Sequence, residues 1–448
     1  MKDTMTKTDA QMREEMIPSL VSLLEIPSVT ERGEGGYPYG SGPARAVDAA
    51  LQIAAQLGFC TVNRNYEYAY AEAGSGDPLI AVLVHLDVVP AGNGWTKEPF
   101  AGTVEDGRIY GRGAIDDKGP AVACLYAVKD LMDLANLPNL PNLPDPSAQA
   151  DRRDRPNAGA LPGRVRILFG QTEEYGISHD ILRYLEEEET PDAGFTPDGE
   201  FPVIRGEKGM LEIQVSMNAA ESGVEEAAGG TAINMVPDAA WAVVQGVRYE
   251  GVGRAAHGSC PQDGVNAITE LCKKLPACPF REAFLGLFGD THHGEHCGCA
   301  FEDEDSGRIT VNPGLLTMEE GHLAVDLDVR YPLSYTKEDV LRGLTAEAEK
   351  YGMTVTLKGE EPPVYFAADS PEMQALLRAY REETGDEREP LVVGGATYAR
   401  TMPYIMAYGP LTPEIENREH RGDEYIPLEH LVKLRRIYAK AVYYLLQR

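Results

Sequence analysis

The chain of 448 residues has no apolar run approaching the length of a membrane span. Its opening residues, Met1-Lys2-Asp3-Thr4, lack the apolar core of a secretory signal. The expected location is therefore the cytoplasm. Cysteine is scarce. Seven cysteines, an odd number scattered through a long chain, argue for free thiols in a reducing compartment and against a disulfide framework. Positive charge is also short: 41 Lys and Arg stand against 71 Asp and Glu, and a net charge of −30 argues against a nucleic-acid partner. Such acidity chiefly serves solubility, and part of it can belong to a cation site.

The remaining composition, 43% hydrophobic and 25% charged, is that of a globular protein too long for one ordinary core. Two amphipathic helices are expected at Asp9–Leu24 and Pro43–Leu57, joined by a glycine-rich turn around Gly33–Gly42. Strands and helices then alternate: strand Leu79–Val84, helix Lys118–Leu134, strand Arg164–Phe169 and helix Ser178–Glu189. This alternation predicts an α/β sheet flanked by helices, with ligands at the carboxyl ends of its strands. Residues 136–160, with Leu-Pro-Asn repeats followed by a Ser/Ala/Asp/Arg-rich run, read as an extended insertion carrying no chemistry. From about Gly209 the pattern changes to strands at Met210–Met217, Ala239–Arg248, Arg308–Thr317 and His322–Arg330. The helices Gly264–Lys274, Pro279–Phe288 and Thr336–Tyr351 lie between and after them, which predicts an α+β domain. Near Glu360-Glu361-Pro362-Pro363 the chain returns to the first domain and ends in a helix, Pro427–Leu446. The expected division is a catalytic domain, 1–207 and 361–448, interrupted by a lid domain, 208–360.

Chemistry concentrates at the strand ends. The run Leu83-Val84-His85-Leu86-Asp87 delivers an imidazole and a carboxylate two residues apart, hence on one face of an extended chain. A carboxylate behind a histidine fixes the orientation of a metal-ligating ring. Asp116 follows in Gly111-Arg112-Gly113-Ala114-Ile115-Asp116-Asp117-Lys118-Gly119, where Asp116 or Asp117 could equally be a helix N-cap. Glu173 and Glu174 end the next buried strand, where unsolvated carboxylates are costly unless neutralised. Asp198, in Thr196-Pro197-Asp198-Gly199-Glu200, is at a strand end or in a Pro-Asp-Gly turn. His420, in Glu419-His420-Arg421-Gly422-Asp423-Glu424-Tyr425-Ile426, precedes the last helix. Two histidines and several carboxylates have the ligand chemistry of a mixed N/O site for zinc, manganese or cobalt.

This order of motifs resembles the M20 family of metallopeptidases, and within it the PepV-like bacterial dipeptidases. The combined set is highly specific, and the likeness covers essentially the whole chain outside 136–160. The resemblance implies two divalent metal ions, zinc first with manganese or cobalt as alternatives, bridged by Asp116 and a water or hydroxide. His85 and Asp198 would hold one ion, Glu174 and His420 the other. Glu173 would be the general base, Asp87 would orient His85, and His257 would polarise the scissile carbonyl. Arg330 would grip a peptide carboxylate, with Asn234 and Arg400 as further substrate contacts. The implied activity is hydrolysis of short peptides with a free C-terminal carboxylate by a monomeric enzyme. An N-acyl-amino-acid deacylase of the same fold is the alternative, and a non-catalytic metal-dependent binding protein a third reading. Intact Glu173 argues against the last.

The stretch Thr291-His292-His293-Gly294-Glu295-His296-Cys297-Gly298-Cys299 is rich in metal-binding types. Its spacing fits no standard zinc finger, so a solvated loop is expected there, and the resemblance gives it no role.

Overall fold

The computed structural model describes residues 7–31, 33, 35–135, 161–176 and 178–448; the insertion expected at 136–160 lies outside the described residues. The chain divides into two units. The first comprises Met1–Arg205, Phe366–Leu391 and Thr397–Arg448, and the second Gly206–Tyr365 with the short piece Val392–Ala396.

The first unit is built on a mixed sheet with strand order Cys60–Arg64, Tyr68–Gly74, Arg164–Gly170, Leu79–His85, Ala193–Thr196, Ile405–Ala407. The first two strands pair antiparallel, and the last four run parallel. The apolar run expected to be a strand is the sheet's centre, and every residue from Leu79 to His85 is buried. Burial on both faces is what an unbroken aliphatic run requires. Ile80, Val82 and Val84 pack into a core shared with helices Asp9–Leu24, Lys118–Ala135 and Leu428–Leu445. Ala81 and Leu83 point the other way, into a cluster with Tyr184, Tyr398 and Ile405. Each fully buried aliphatic side chain here contributes about 1.5–3 kcal/mol. Parallel register aligns His85 with Gly170, so the loops that follow both strands leave from one edge.

Helix ends follow local chemistry. Thr8 caps Asp9–Leu24 with a reciprocal bond to Gln11. Helix Ser41–Leu57 begins two residues earlier than expected, because Pro43 is tolerated in the first turn, where its missing N–H has no helical partner to lose.

The second unit is a seven-stranded antiparallel sheet. Its order is Val247–Val252, Ala239–Val244, Glu226–Gly229, Thr310–Glu319, His322–Tyr331, Gly209–Asn218, Thr354–Glu361. Leu211, Ile213, Val215 and Met217 alternate into a core with Phe280, Phe284 and Leu344 from helices Pro279–Leu287 and Lys337–Ala348. One expected strand, Ala239–Arg248, is instead two strands of a hairpin. Gln245 and Gly246 both adopt positive φ (52° and 73°), the conformation of a two-residue turn that reverses the chain. The whole is the α/β sheet with an inserted α+β unit expected from the sequence. No helix among the described residues is long and apolar enough to cross a membrane.

Candidate metal centre

One strand end and four loops of the first unit bring the expected ligands together. His85 ends the central strand and is 1% exposed. Its Nε2 lies 2.8 Å from Asp116 Oδ1 and 3.9 Å from Asp198 Oδ2. His420, held at φ 60°, places Nε2 3.1 Å from Asp116 Oδ2 and 3.0 Å from Glu174 Oε2. Asp116 thus turns one carboxylate oxygen to each imidazole. Two sets of donor atoms converge within 4.8 Å of one another, His85 with Asp116 and Glu174, and His85 with Glu173 and Asp198.

The donor set fits a divalent cation. His85 Nε2 is buried, and despite its closeness to Asp116 it makes no hydrogen bond of acceptable geometry among the described residues. A buried ring nitrogen facing the carboxylate oxygens of Asp116 and Asp198 is the mixed N/O donor set that a divalent cation takes in place of the imidazole proton. The electrostatics agree. Burial raises the carboxyl pKa values of Glu173 and Glu174, and the Asp198 charge adds to the first as Asp116 adds to the second. Burial would also raise Asp116, but His420 and His85 hold it well below the usual carboxylate range. Burial works against protonation of both imidazoles, yet their carboxylate partners prevail. The ring of His85 is raised well above its ordinary value, and that of His420 to about 11. These residues concentrate more negative charge than two imidazoles offset, and a metal ion relieves that excess.

Neighbouring residues fix this geometry. His85 Nδ1 faces the main-chain carbonyl of Asp87 at 3.0 Å, with the Asp87 carboxylate at 3.6 Å. That carboxylate also accepts the Glu174 N–H (3.0 Å) and the Thr30 hydroxyl (3.3 Å), so it ties the Glu173–Glu174 turn to the histidine strand. The buried Asp117 accepts the main-chain N–H of His85 at 3.1 Å. Glu424, fully buried, accepts Arg112 Nη1 at 2.5 Å and the N–H groups of Ile115 and Asp116 at 3.0 and 3.4 Å. A small ladder pairing Tyr425–Pro427 with Arg108–Tyr110 joins the same two segments, one bearing His420 and the other Asp116. Arg112, Thr30 and Glu424 had no assigned role in the sequence, and Asp117 had only the alternative of a helix N-cap, whereas its carboxylate accepts the His85 N–H. Glu424 lies within a motif already singled out, but its partner Arg112 is 312 residues away in the sequence, so nothing local marked the pair.

Other candidates lie elsewhere. Arg400 is half-buried in the short 3-10 helix Tyr398–Arg400 of the first unit. In the second unit, His257 Nδ1 lies 2.7 Å from Ser259 Oγ, and Gly258 N–H donates to the Asn234 carbonyl at 2.7 Å. Arg330 is buried, with Nε and Nη2 donating to the two oxygens of Asp328 at 2.6 and 2.9 Å and Nη1 to the Gly394 carbonyl at 3.1 Å. The His/Cys-rich stretch contributes no converging set of ligand atoms among the described residues. Cys297 and Cys299 are buried there, and His293 Nδ1 is 2.8 Å from the Ile309 carbonyl.

Residues 81–141 and 152–444 match the sequence profile of peptidase family M20/M25/M40. A Bacillus subtilis protein named "Putative dipeptidase YtjP" is 31% identical over 479 residues, spanning 96% of this chain and 97% of its own. Among solved structures, human carnosine dipeptidase 1 superposes with a TM-score of 0.57 at 17% identity, covering 98% of both chains. The Bacillus subtilis YXEP protein, described as a dinuclear metal binding peptidase, does so with a TM-score of 0.55 at 12% identity, covering 98% of this chain and 99% of its own. The profile match, the identity to a full-length relative and the shared fold place this chain in peptidase family M20/M25/M40, as a hydrolase of the metallopeptidase class.

Proposed function

We propose that the chain hydrolyses the amide bond of dipeptides and other short peptides with a free C-terminal carboxylate, using two divalent metal ions, zinc first among the candidates. The observation that carries this reading is Asp116, whose two oxygens address different imidazoles at 2.8 and 3.1 Å. His85 and Asp198 would hold one ion and Glu174 and His420 the other, with Asp116 shared. Bound divalent ions supply Lewis-acid polarisation of a carbonyl and bring the acidity of water towards neutral pH.

The chain's own residues supply the rest. Glu173, adjacent to a ligand but not counted as one, takes the proton of the attacking water on a carboxylate oxygen and passes it to the leaving amine nitrogen. Asp87 holds the Glu174 main chain and faces His85 Nδ1, which keeps the ring's Nε2 directed at Asp116. By the resemblance, His257 stabilises the oxyanion, and Arg330, Asn234 and Arg400 contact the substrate.

The relative's dipeptidase name, over nearly the full length of both chains, favours a peptide over an N-acyl amino acid. Turnover of a dipeptide panel beside N-acetyl and N-succinyl amino acids separates the two. Dipeptides are expected to be cleaved with the higher kcat/KM; preference for the acyl amino acids would overturn the reading in favour of a deacylase.

A further inference from the structure

Glu173 and Glu174 are neighbours with different tasks, so their turn has to be held to about half an ångström. The turn follows strand Arg164–Gly170 and is fastened at both ends. Its far end is held by Asp87 through the Glu174 N–H. Its near end is held by Asp180, the second residue of helix His179–Glu187 and 1% exposed.

The Asp180 carboxylate accepts the Gln171 N–H, the Thr172 hydroxyl at 2.8 Å and the Ile181 N–H at 2.9 Å. It also accepts the Tyr398 hydroxyl at 3.1 Å, and the same tyrosine oxygen accepts the Thr172 N–H at 3.2 Å. A buried carboxylate is costly unless it is well hydrogen-bonded. Among the described residues one of its donors, Ile181, belongs to its own helix, and the others are the turn and the tyrosine that completes it.

Tyr398 is itself shaped into the site. Its ring lies over Gly170, where a Cβ atom would come within 2.3 Å of it, so the strand has to be bare at that point. The tyrosine ring stands perpendicular to the His85 ring, with 6.5 Å between centroids and 88° between planes. One tyrosine therefore touches both the histidine strand and the turn that carries the base.

We propose that Asp180, closed by the Tyr398 hydroxyl, is the positioning residue that aims Glu173 by fixing the Gln171–Thr172 main chain. This rests on the reading of Glu173 as general base. Because Asp87 and His420 hold Glu174 separately, loosening the near end misdirects the base and leaves metal binding intact.

The test compares Asp180→Asn, Tyr398→Phe and Glu173→Ala in the full chain loaded with Zn²⁺, measuring kcat, KM for a dipeptide, and Zn²⁺ affinity by titration of the stripped protein. Asp180→Asn is expected to lower kcat about 10²-fold, the scale of a misplacement near 1 Å. Tyr398→Phe should lower it about tenfold, and both should keep KM and Zn²⁺ affinity within about threefold. If Asp180→Asn does not fold, Tyr398→Phe carries the test alone. The proposal is overturned if kcat per loaded molecule stays within about twofold of the parent, or if Zn²⁺ affinity falls together with kcat. An active Glu173→Ala variant overturns the base assignment itself. Its inactivity beside unchanged Asp180→Asn and Tyr398→Phe variants overturns only the positioning role.

Discussion

At the scale of single residues, the chemistry turns on where protons sit. Asp116 is held ionised by His85 and His420, whereas the neighbouring Glu173 is pushed by burial and Asp198 towards keeping a proton. A carboxyl held towards its protonated form by burial is suited to acid and base work, and the ligand Glu174, raised in the same way, has His420 beside it to favour its charge. Glu173→Ala is expected to lower kcat towards the upper end of the roughly 10²–10⁴-fold range of general acid–base catalysis. Metal content, measured by atomic emission, should match the parent, and full activity in the variant would sink the assignment. A different buried group contributes to acid sensitivity. His430 is 5% exposed, lies 2.8 Å from the Pro410 carbonyl through Nε2, and is lowered by burial to about 4. Its folded pKa is depressed below the unfolded value of about 6.5, so the stability it confers is present above pH 6.5 and lost as pH falls towards 4. This group should cost about 2 kcal/mol between pH 7 and pH 5. Urea unfolding of His430→Gln should show a correspondingly shallower acid limb; an identical limb would exclude His430 as its source.

At the scale of elements, the site is as accurate as the packing of four parallel strands. Gly194, in strand Ala193–Thr196, stands where a Cβ atom would lie 1.9 Å from the Ala81 carbonyl. Gly194→Ala should force the strand away from Leu79–His85, at about 1–3 kcal/mol by chemical denaturation. It should also draw Asp198 from His85; unchanged stability and activity would show that the strands can absorb the methyl group. These central elements were legible in the sequence because their signals are local. The aliphatic run from Leu79, the helix Asp9–Leu24 and the acids at strand ends each follow from a few consecutive residues. What escaped depends on contacts between distant segments. The hairpin at Gln245-Gly246 lacked a strong turn signature, and three-residue strands such as Arg108–Tyr110 and Tyr425–Pro427 are too short to show a period. Asp180 and Glu424 read as ordinary acids until folding buries each among main-chain donors. Val392–Ala396 joins the second unit through main-chain bonds such as Lys208 N–H to the Val393 carbonyl, which no side-chain pattern announces.

At the scale of the whole molecule, a net charge of −30 favours association with cations, and the buried acids of the first unit make part of that charge specific. Ions that bind the folded chain alone should stabilise it, by about 2.7 kcal/mol at a concentration 100 times the dissociation constant. The melting temperature should therefore rise on metal addition to stripped protein, and a melting temperature indifferent to Zn²⁺, Mn²⁺ and Co²⁺ would separate the acids from any metal role. The central claim, hydrolysis at a two-metal centre, is tested most directly by stripping the protein with a chelator and titrating metal back while following dipeptide turnover. The stripped chain should be inactive, bind two equivalents of Zn²⁺, Mn²⁺ or Co²⁺ and recover turnover as they bind; dipeptide hydrolysis that survives complete metal removal would contradict the claim.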